Sequence, residues 1–308
     1  MKIIKIIYTL SFLILTFCIL THSELSLYYA FMGLELWFEK MIPTLLPFMI
    51  ISGIMIRLQL TESFTSLAYP VIRPLFHVSR NAAYAILMGY LCGFPMGAKT
   101  IADLYSRNMI TRREAEFLLA FCNNIGPVYF IGFVIPLLQR QLLVPYLIGM
   151  YGIPLLYGLI LRYTFYRDIS IKSTLSESVK IAPNSSLLTV IDESIISSIQ
   201  SILSLGGYMI LFNLLNLLPH VFLGKQPLIL APLFEISGGL NLLQHHAPLY
   251  TLLLLPFGGL SCIAQTNSCI KNTDLSIADY TFHKILLLFL TALYYLLWFC
   301  FFRASFMR

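Results

Sequence analysis

Six uninterrupted apolar runs constrain this chain more than any other feature of its sequence. They cover residues 3–20, 42–58, 117–138, 142–161, 203–218 and 285–302. An α-helix needs about 20 apolar residues to cross the ~30 Å hydrocarbon layer of a bilayer. Of the 308 residues, 58% are hydrophobic and 11% are charged, whereas a soluble domain carries about 25% charged residues. The pattern predicts an all-α polytopic membrane protein and excludes an ordinary cytosolic enzyme, a disordered chain and a coiled coil.

Two further apolar regions, residues 82–104 and 249–270, are interrupted by glycine-rich polar turns. Backbone groups cannot stay unpaired in lipid, so such turns belong inside the protein or beside a water-filled cavity. We therefore predict six full spans plus two re-entrant half-helix hairpins, with eight full spans as the alternative. Segments 24–40 and 187–200 combine carboxylates with apolar side chains at helical spacing, which predicts interfacial helices.

Three short matches recur in the same order in the two halves of the chain. Residues 52–56 resemble 206–210, residues 74–79 resemble 232–237, and residues 93–99 resemble 259–265. We expect four parts: a first span at residues 1–24, repeat one at 25–138, a span with a cytoplasmic linker at 139–186, and repeat two at 187–308. An odd crossing between the repeats would invert one relative to the other, as in many transporters.

The basic residues orient this arrangement in the membrane. With six spans, two hairpins and a cytoplasmic N-terminus, most of the 20 Lys and Arg residues lie on the cytoplasmic side of the membrane. Lys271 and Lys284 are among those on the opposite side. Because cytoplasmic loops carry an excess of Lys and Arg, both termini are predicted to be cytoplasmic. Lys2 and Lys5 before the first apolar run favour a retained first span, and a cleaved signal peptide is the alternative. The net charge of +6 is not interpreted as nucleic-acid binding.

Polar residues at membrane depth are the candidate site. Glycine and proline in the first turn allow close backbone approach and stop a continuous helix. Charged and amide side chains in such positions are costly unless they face a cavity or a bundle interior. The predicted substrate-binding residues are Gly93, Pro95, Gly97, Lys99, Asn123, Asn124, Glu235, Ser261 and Gln265.

The charged and amide candidates also have a structural interpretation. Lys99 could reach the cytoplasmic face and pair with Asp103 one helical turn away. The two asparagines could join helices by hydrogen bonds without binding a solute. Glu235 lies in an apolar stretch and needs a partner, for which His77 and Lys99 are the candidates.

Sequence motifs for catalysis are absent. The chain has no HExxH, no P-loop, no GxSxG and no pair of intramembrane aspartates. We therefore expect no enzyme activity, no cofactor and no metal site. The expected partners are the lipid bilayer and a small solute or ion. A membrane enzyme acting on lipid-linked precursors is a third interpretation, which would require an essential Glu235 or Asp103.

Residues 89–132 resemble the YlbJ-like sporulation integral membrane proteins, of the nucleoside-recognition (Gate) domain group. The matching elements are a Gly-x-Pro-x-Gly-Ala-Lys turn, an Arg-Glu-Ala-Glu helix start, an Asn-Asn pair and a later Gly-Gly-Leu-Ser-x-x-Ala-Gln motif, at residues 93–99, 113–116, 123–124 and 258–265. The resemblance implies an inner-membrane protein of endospore-forming bacteria, needed for spore cortex formation. The Gate-domain likeness implies a pore or carrier role, without a substrate. The alternative is a non-transporting scaffold, as a homo-oligomer or with spore-assembly partners.

Overall fold

The computed structural model of the chain describes residues 2–138, 143–169, 186–244 and 246–301. Over these ranges the fold is entirely helical and contains no β-strand. Six helices are long and apolar enough to cross a membrane: Ile4–Thr21, Ser23–Arg57, Leu143–Tyr163, Leu187–Leu223, Leu249–Ile270 and Ile277–Phe301. The prediction of an all-α polytopic membrane protein is therefore confirmed. Most of the predicted cytoplasmic linker, at residues 170–185, and the C-terminal residues 302–308 lie outside the described ranges.

Eighteen α-helical segments follow one another along the described part of the chain. In order they are α1 Lys2–Thr21, α2 Ser23–Leu36, α3 Ile42–Arg57, α4 Thr61–Thr65, α5 Tyr69–Phe76, α6 Arg80–Cys92, α7 Met96–Ser106, α8 Arg112–Phe121, α9 Pro127–Tyr129, α10 Leu143–Leu147, α11 Ile153–Tyr163, α12 Leu187–Leu214, α13 Leu217–Leu223, α14 Ala231–Phe234, α15 Ile236–Leu243, α16 Pro248–Leu254, α17 Gly259–Ile270 and α18 Ile277–Phe301. Wider π-helical turns join α2 to α3 and α10 to α11, so each of these pairs forms one long helix.

The long helix α2–α3 packs antiparallel to α12. Arg57 pairs with Glu193 at one end (Nη1 to Oε2, 2.6 Å), and the Trp37 indole donates to the carbonyl of Ile202 at 2.8 Å further along. The predicted interfacial helices at 24–40 and 187–200 are wrong as separate elements, because each continues into the span that follows it. Their mixed composition reflects this helix–helix contact, in which a carboxylate is paired by an arginine.

Helices α6 and α7 form the first hairpin. The start of α6 and the end of α7 lie close together, because the side-chain amide of Asn81 donates to the carbonyl of Met109 at 3.2 Å. The pair of half-helices predicted at 82–104 is present. The predicted uninterrupted span at 117–138 is wrong, because α8 ends at Phe121 and the helix resumes only at Pro127. Pro127 lacks the backbone N–H that a continuous helix would need at this point.

The second hairpin is not where the sequence placed it. Helices α16 and α17 follow one another as a single interrupted helix, Leu249–Ile270, so the hairpin predicted at 249–270 is wrong and the alternative of a full crossing agrees with the structure. The two helices that fold back on each other are α14 and α15, with Glu235 in extended conformation between them. The matched segments 93–99 and 259–265 therefore compare a hairpin turn with the start of a helix.

Charged side chains collect at one end of the molecule, which we call the arginine end. It is defined by three ion pairs: Arg57 with Glu193, Arg112 with Asp274, and Arg113 with Asp168. Lys271 lines a cavity at this end together with Lys99 and Asp103, so its predicted position on the opposite side is wrong. The same is true of Lys284, which is 1% exposed inside α18. Both lysines were misplaced because the interrupted helix α16–α17 crosses where a hairpin was expected.

Helix α18 carries the chain away from the arginine end. It begins just after Asp274, and near its other end the Tyr294 hydroxyl donates to the carbonyl of Pro145 at 3.2 Å. The long helix α10–α11, Leu143–Tyr163, runs between the same two ends in the opposite sense, because Pro145 lies near its start and Arg113 donates to the carbonyl of Phe165, just past its end, at 2.8 Å. Within the described residues α18 therefore ends away from the arginine end. Residues 302–308 lie outside the described ranges, so the prediction that both termini are cytoplasmic stays a prediction.

Candidate functional site

The turn of the first hairpin packs directly on the break between α8 and α9. Gly93 has a φ of +81°, and a Cβ atom there would overlap the backbone nitrogen of Gly126. A Cβ on Gly97 would lie 2.7 Å from the carbonyl oxygen of Cys122. The Phe94–Pro95 peptide in this turn is cis. Two of the predicted site glycines are therefore positions of close backbone approach.

Asn123 joins three helices at this break. Its side chain is fully buried; Oδ1 accepts from the backbone N–H of Ala98 in α7 at 3.2 Å. Its Nδ2 donates to the Thr266 hydroxyl of α17 at 2.9 Å and to the Tyr280 hydroxyl of α18 at 3.0 Å. All its hydrogen-bonding groups are thus used within the protein, as the structural interpretation requires.

Asn124 and Lys284 satisfy the end of α8. The Asn124 amide donates to the carbonyl of Phe121 at 2.6 Å, and its Oδ1 accepts from Lys284 Nζ at 3.1 Å. Lys284 also donates to the backbone carbonyl of Asn123. Lys284 is not among the predicted site residues because the last apolar run was taken to begin at residue 285. A span beginning at Ile277, as observed, would have shown one lysine well inside an apolar helix.

Glu235 is the N-cap of α15. Its Oε1 accepts from the backbone N–H of Ser237 at 3.1 Å, and its Oε2 accepts from that of Gly238 at 2.6 Å. The Asn213 side chain of α12 donates to Oε2 at 3.1 Å. The predicted partners His77 and Lys99 are wrong, since the α15 amides and Asn213 supply the hydrogen bonds.

Lys99 and Pro95 line a polar cavity of about 330 Å³ near the arginine end. Lys99 pairs with Asp103 (Nζ to Oδ2, 3.3 Å) and donates to the Ser197 hydroxyl at 3.4 Å. The other lining residues, mostly with hydroxyl, amide or ammonium groups, are Gln200, Ser201, Ser204, Leu205, Tyr208, Gln265, Ser268, Cys269, Lys271 and Asn272. This lining presents many hydrogen-bond donors and acceptors to a solute.

Gln265 lies between this polar cavity and a second one. The second cavity, of about 60 Å³, is more apolar and is lined by Phe94, Glu235 and Cys262 among others. Gln265 and Leu205 line both cavities. The Gln265 amide donates to the buried Ser261 hydroxyl at 2.8 Å, which holds it in this intermediate position.

The predicted site residues therefore separate into two groups. Gly93, Gly97, Asn123 and Asn124 build the helix break. The cavities are lined by Pro95, Lys99, Glu235 and Gln265, while Ser261 positions Gln265 from behind. Among the described residues no group of three or more His, Cys, Asp or Glu side chains could hold a metal ion. The arrangement can bind a small polar solute by hydrogen bonds and by the Lys99–Asp103 pair.

Comparison with known proteins agrees with the resemblance seen in the motifs. The chain is 27% identical over 317 aligned positions to the sporulation integral membrane protein YlbJ of Bacillus subtilis strain 168, covering 89% of this chain and 78% of that protein. No protein-family model matches the chain. No solved structure matches it either. The YlbJ-like resemblance is confirmed, while membership in the Gate-domain group stays a prediction.

Proposed function

We propose that this chain, like the YlbJ protein it resembles, is an integral membrane protein involved in sporulation, and that it is a carrier in the plasma membrane that moves a small polar or ionic solute during spore cortex assembly. Transport fits the chain better than catalysis does, because its buried polar groups are arranged around cavities. The observation that carries the proposal is the position of Gln265, which lines a polar cavity on one side and an apolar cavity on the other.

Two further features support this proposal. Interrupted helices and short hairpins that meet at a buried polar layer are typical of secondary transporters, which bind solute near the bilayer midplane. The polar cavity has lysines on two walls, Lys99 from α7 and Lys271 after α17, and a single carboxylate, Asp103. Hydroxyl and amide groups between them suit a solute with several hydrogen-bonding groups.

Two native cysteines test the pathway directly. Cys269 lines the polar cavity and Cys262 lines the apolar one. In proteoliposomes carrying variants with a single cysteine, a charged membrane-impermeant thiol reagent should label Cys269 rapidly from the arginine end. Cys262 should become reactive only when the Gln265 layer opens, and Gln265→Ala should accelerate its labelling. A Cys262 that stays unreactive in both forms would contradict a continuous pathway.

An uptake screen tests transport itself. Reconstituted protein should accumulate at least one solute from a panel of nucleosides, metal ions and small organic acids, and Gln265→Leu should reduce uptake at least about tenfold because it loses the Ser261 contact. The matched control is Gln226→Leu, an exposed position away from both cavities. In sporulating cells, Gln265→Leu should impair cortex formation and Gln226→Leu should not. If both variants form normal cortex and no solute is taken up, the scaffold is favoured.

A further inference from the structure

Lys284 is a buried cation without a carboxylate partner. It is 1% exposed, and none of the ion pairs formed within the described ranges involves it. Its Nζ instead donates to the backbone carbonyl of Asn123 and to Asn124 Oδ1. The same Nζ lies 4.7 Å from the ring centre of Phe94 and 5.6 Å from that of Tyr280.

These four groups come from three different parts of the chain. Phe94 belongs to the turn of the first hairpin, the two asparagines to the break after α8, and Tyr280 to α18, one turn before Lys284. Each presents partial negative charge to the same point. The Asn123 carbonyl lies two residues beyond the C-terminal end of α8, where the helix dipole is partially negative. The faces of aromatic rings attract cations electrostatically.

We infer that this cage, made of the Asn123 carbonyl, Asn124 Oδ1 and the rings of Phe94 and Tyr280, is a monovalent-cation site that the protein fills with its own ammonium group. A small ammonium ion is the ligand whose N–H donors and size fit the two oxygens and two rings. Broken helices in transporters commonly coordinate Na⁺ or H⁺ through such unwound carbonyls. Here a tethered cation takes that position.

The inference goes beyond the proposed carrier function and does not depend on it. The cage holds the hairpin turn against the helix break whether or not a solute is moved. For a carrier it has one consequence: no free sodium ion is needed at this break, because the lysine side chain already occupies the position.

Shortening the lysine should open the site to a free ion. We expect methylammonium chloride, at several times its dissociation constant, to raise the melting temperature of full-length Lys284→Ala in detergent by about 2–4 °C. Tetramethylammonium chloride at equal ionic strength should have no effect, because it has no N–H donor. Wild-type protein and Lys271→Ala, which lacks a lysine outside the cage, should show no shift with either salt. An equal shift in all three proteins, or none in Lys284→Ala, would overturn the inference.

A second pair of variants keeps Lys284 in place, in case Lys284→Ala does not fold. Asn124→Asp and Asn124→Leu both lose the amide that donates to the Phe121 carbonyl, but only Asn124→Asp keeps an oxygen, now charged, against the ammonium. Asn124→Asp should therefore melt several degrees above Asn124→Leu, which is similar in volume. Equal destabilisation by both would show that the position does not favour a positive charge, and the inference would fail. Titrating Asn124→Asp/Lys284→Ala with K⁺, Na⁺ and methylammonium then ranks the ions, and stabilisation by none of them would also contradict it.

Discussion

Two buried helix ends, the break after α8 and the start of α15, are satisfied by side chains of opposite charge, and we call them the first and the second point. At the break after α8, Lys284 donates to the backbone carbonyl of Asn123, two residues beyond the last residue of the helix. At the start of α15, the helix presents N–H groups, and Glu235 accepts from those of Ser237 and Gly238. The sign of each buried charge follows from the helix end that it meets, since carbonyl ends are partially negative and amide ends partially positive.

An amide side chain completes both arrangements. Asn124 accepts from Lys284 at 3.1 Å, and Asn213 donates to Glu235 at 3.1 Å. Within the described residues neither charge forms an ion pair, although both side chains are at most 2% exposed. Neutral dipoles can therefore stabilise a buried ion when several of them are directed at it. Glycines approach backbone closely at both points, since a Cβ on Gly93 would overlap Gly126 and a Cβ on Gly239 would overlap Pro232. The first point differs in that its glycine turn, at Gly93, also has a positive φ.

The largest effect is expected from adding one carbon atom to that glycine turn. Gly93→Ala combines a positive φ with overlap between its Cβ and the backbone of Gly126, so we expect a loss of about 4 kcal/mol or more in the free energy of unfolding. Gly224→Ala is the matched control. It also has a positive φ, of +66°, but open space around the Cβ, so it should lose only about 1 kcal/mol.

Unfolding in mixed detergent micelles measures both variants on one scale. Similar losses for Gly93→Ala and Gly224→Ala would mean that backbone conformation alone accounts for the glycine. The close approach of hairpin and break would then not contribute to stability.

A smaller effect is expected at the second point. Glu235→Leu leaves two helix N–H groups without an acceptor and removes one of the two acceptors of the Asn213 amide, which should cost about 3 kcal/mol in the free energy of unfolding. Glu235→Gln keeps one acceptor oxygen and should lose about half as much. Glu193→Gln removes a carboxylate from a partly exposed ion pair with Arg57 and should cost less than 1 kcal/mol. Equal losses for Glu235→Gln and Glu193→Gln would show that the helix end does not select the charge at residue 235.

The sequence predicted what depends on average hydropathy. Residues 3–20 and 142–161 were identified as spans because each is apolar along its whole length, and the observed spans Ile4–Thr21 and Leu143–Tyr163 agree closely. Hydropathy is high on both sides of a short break, so it cannot tell one continuous helix from two. That is why the break at 122–126 was taken as part of a span and why α16–α17 was taken as a hairpin.

The site was only partly predictable for a related reason. Gly93, Gly97 and Asn123 stood out locally, because glycine and carboxamide residues are unusual at membrane depth. Their partners are far away in the chain: Asn123 meets Thr266 and Tyr280. Lys284 was missed for a different reason, because the last apolar run was taken to begin at residue 285 while the helix begins at Ile277. The role of Glu235 as a helix cap depended on a helix start at Ile236 that apolar periodicity does not mark.

The smallest effect is expected at the arginine end, where charges are solvated. The Tyr105 hydroxyl donates to Asp274 at 2.7 Å, and this bond, with nearby Arg112, holds the pKa of Asp274 below its usual value. A carboxyl group with a lowered pKa in the folded state stabilises the fold above its unfolded pKa of about 3.9, and this contribution is lost as the pH falls. Tyr105→Phe should therefore lower the melting temperature slightly at pH 6. The difference from wild type should shrink as the pH falls toward 3. In an Asp274→Asn background, Tyr105→Phe should show no such pH dependence. A Tyr105→Phe deficit that stays constant from pH 6 to 3 would mean that the tyrosine acts through packing and not through the Asp274 carboxylate.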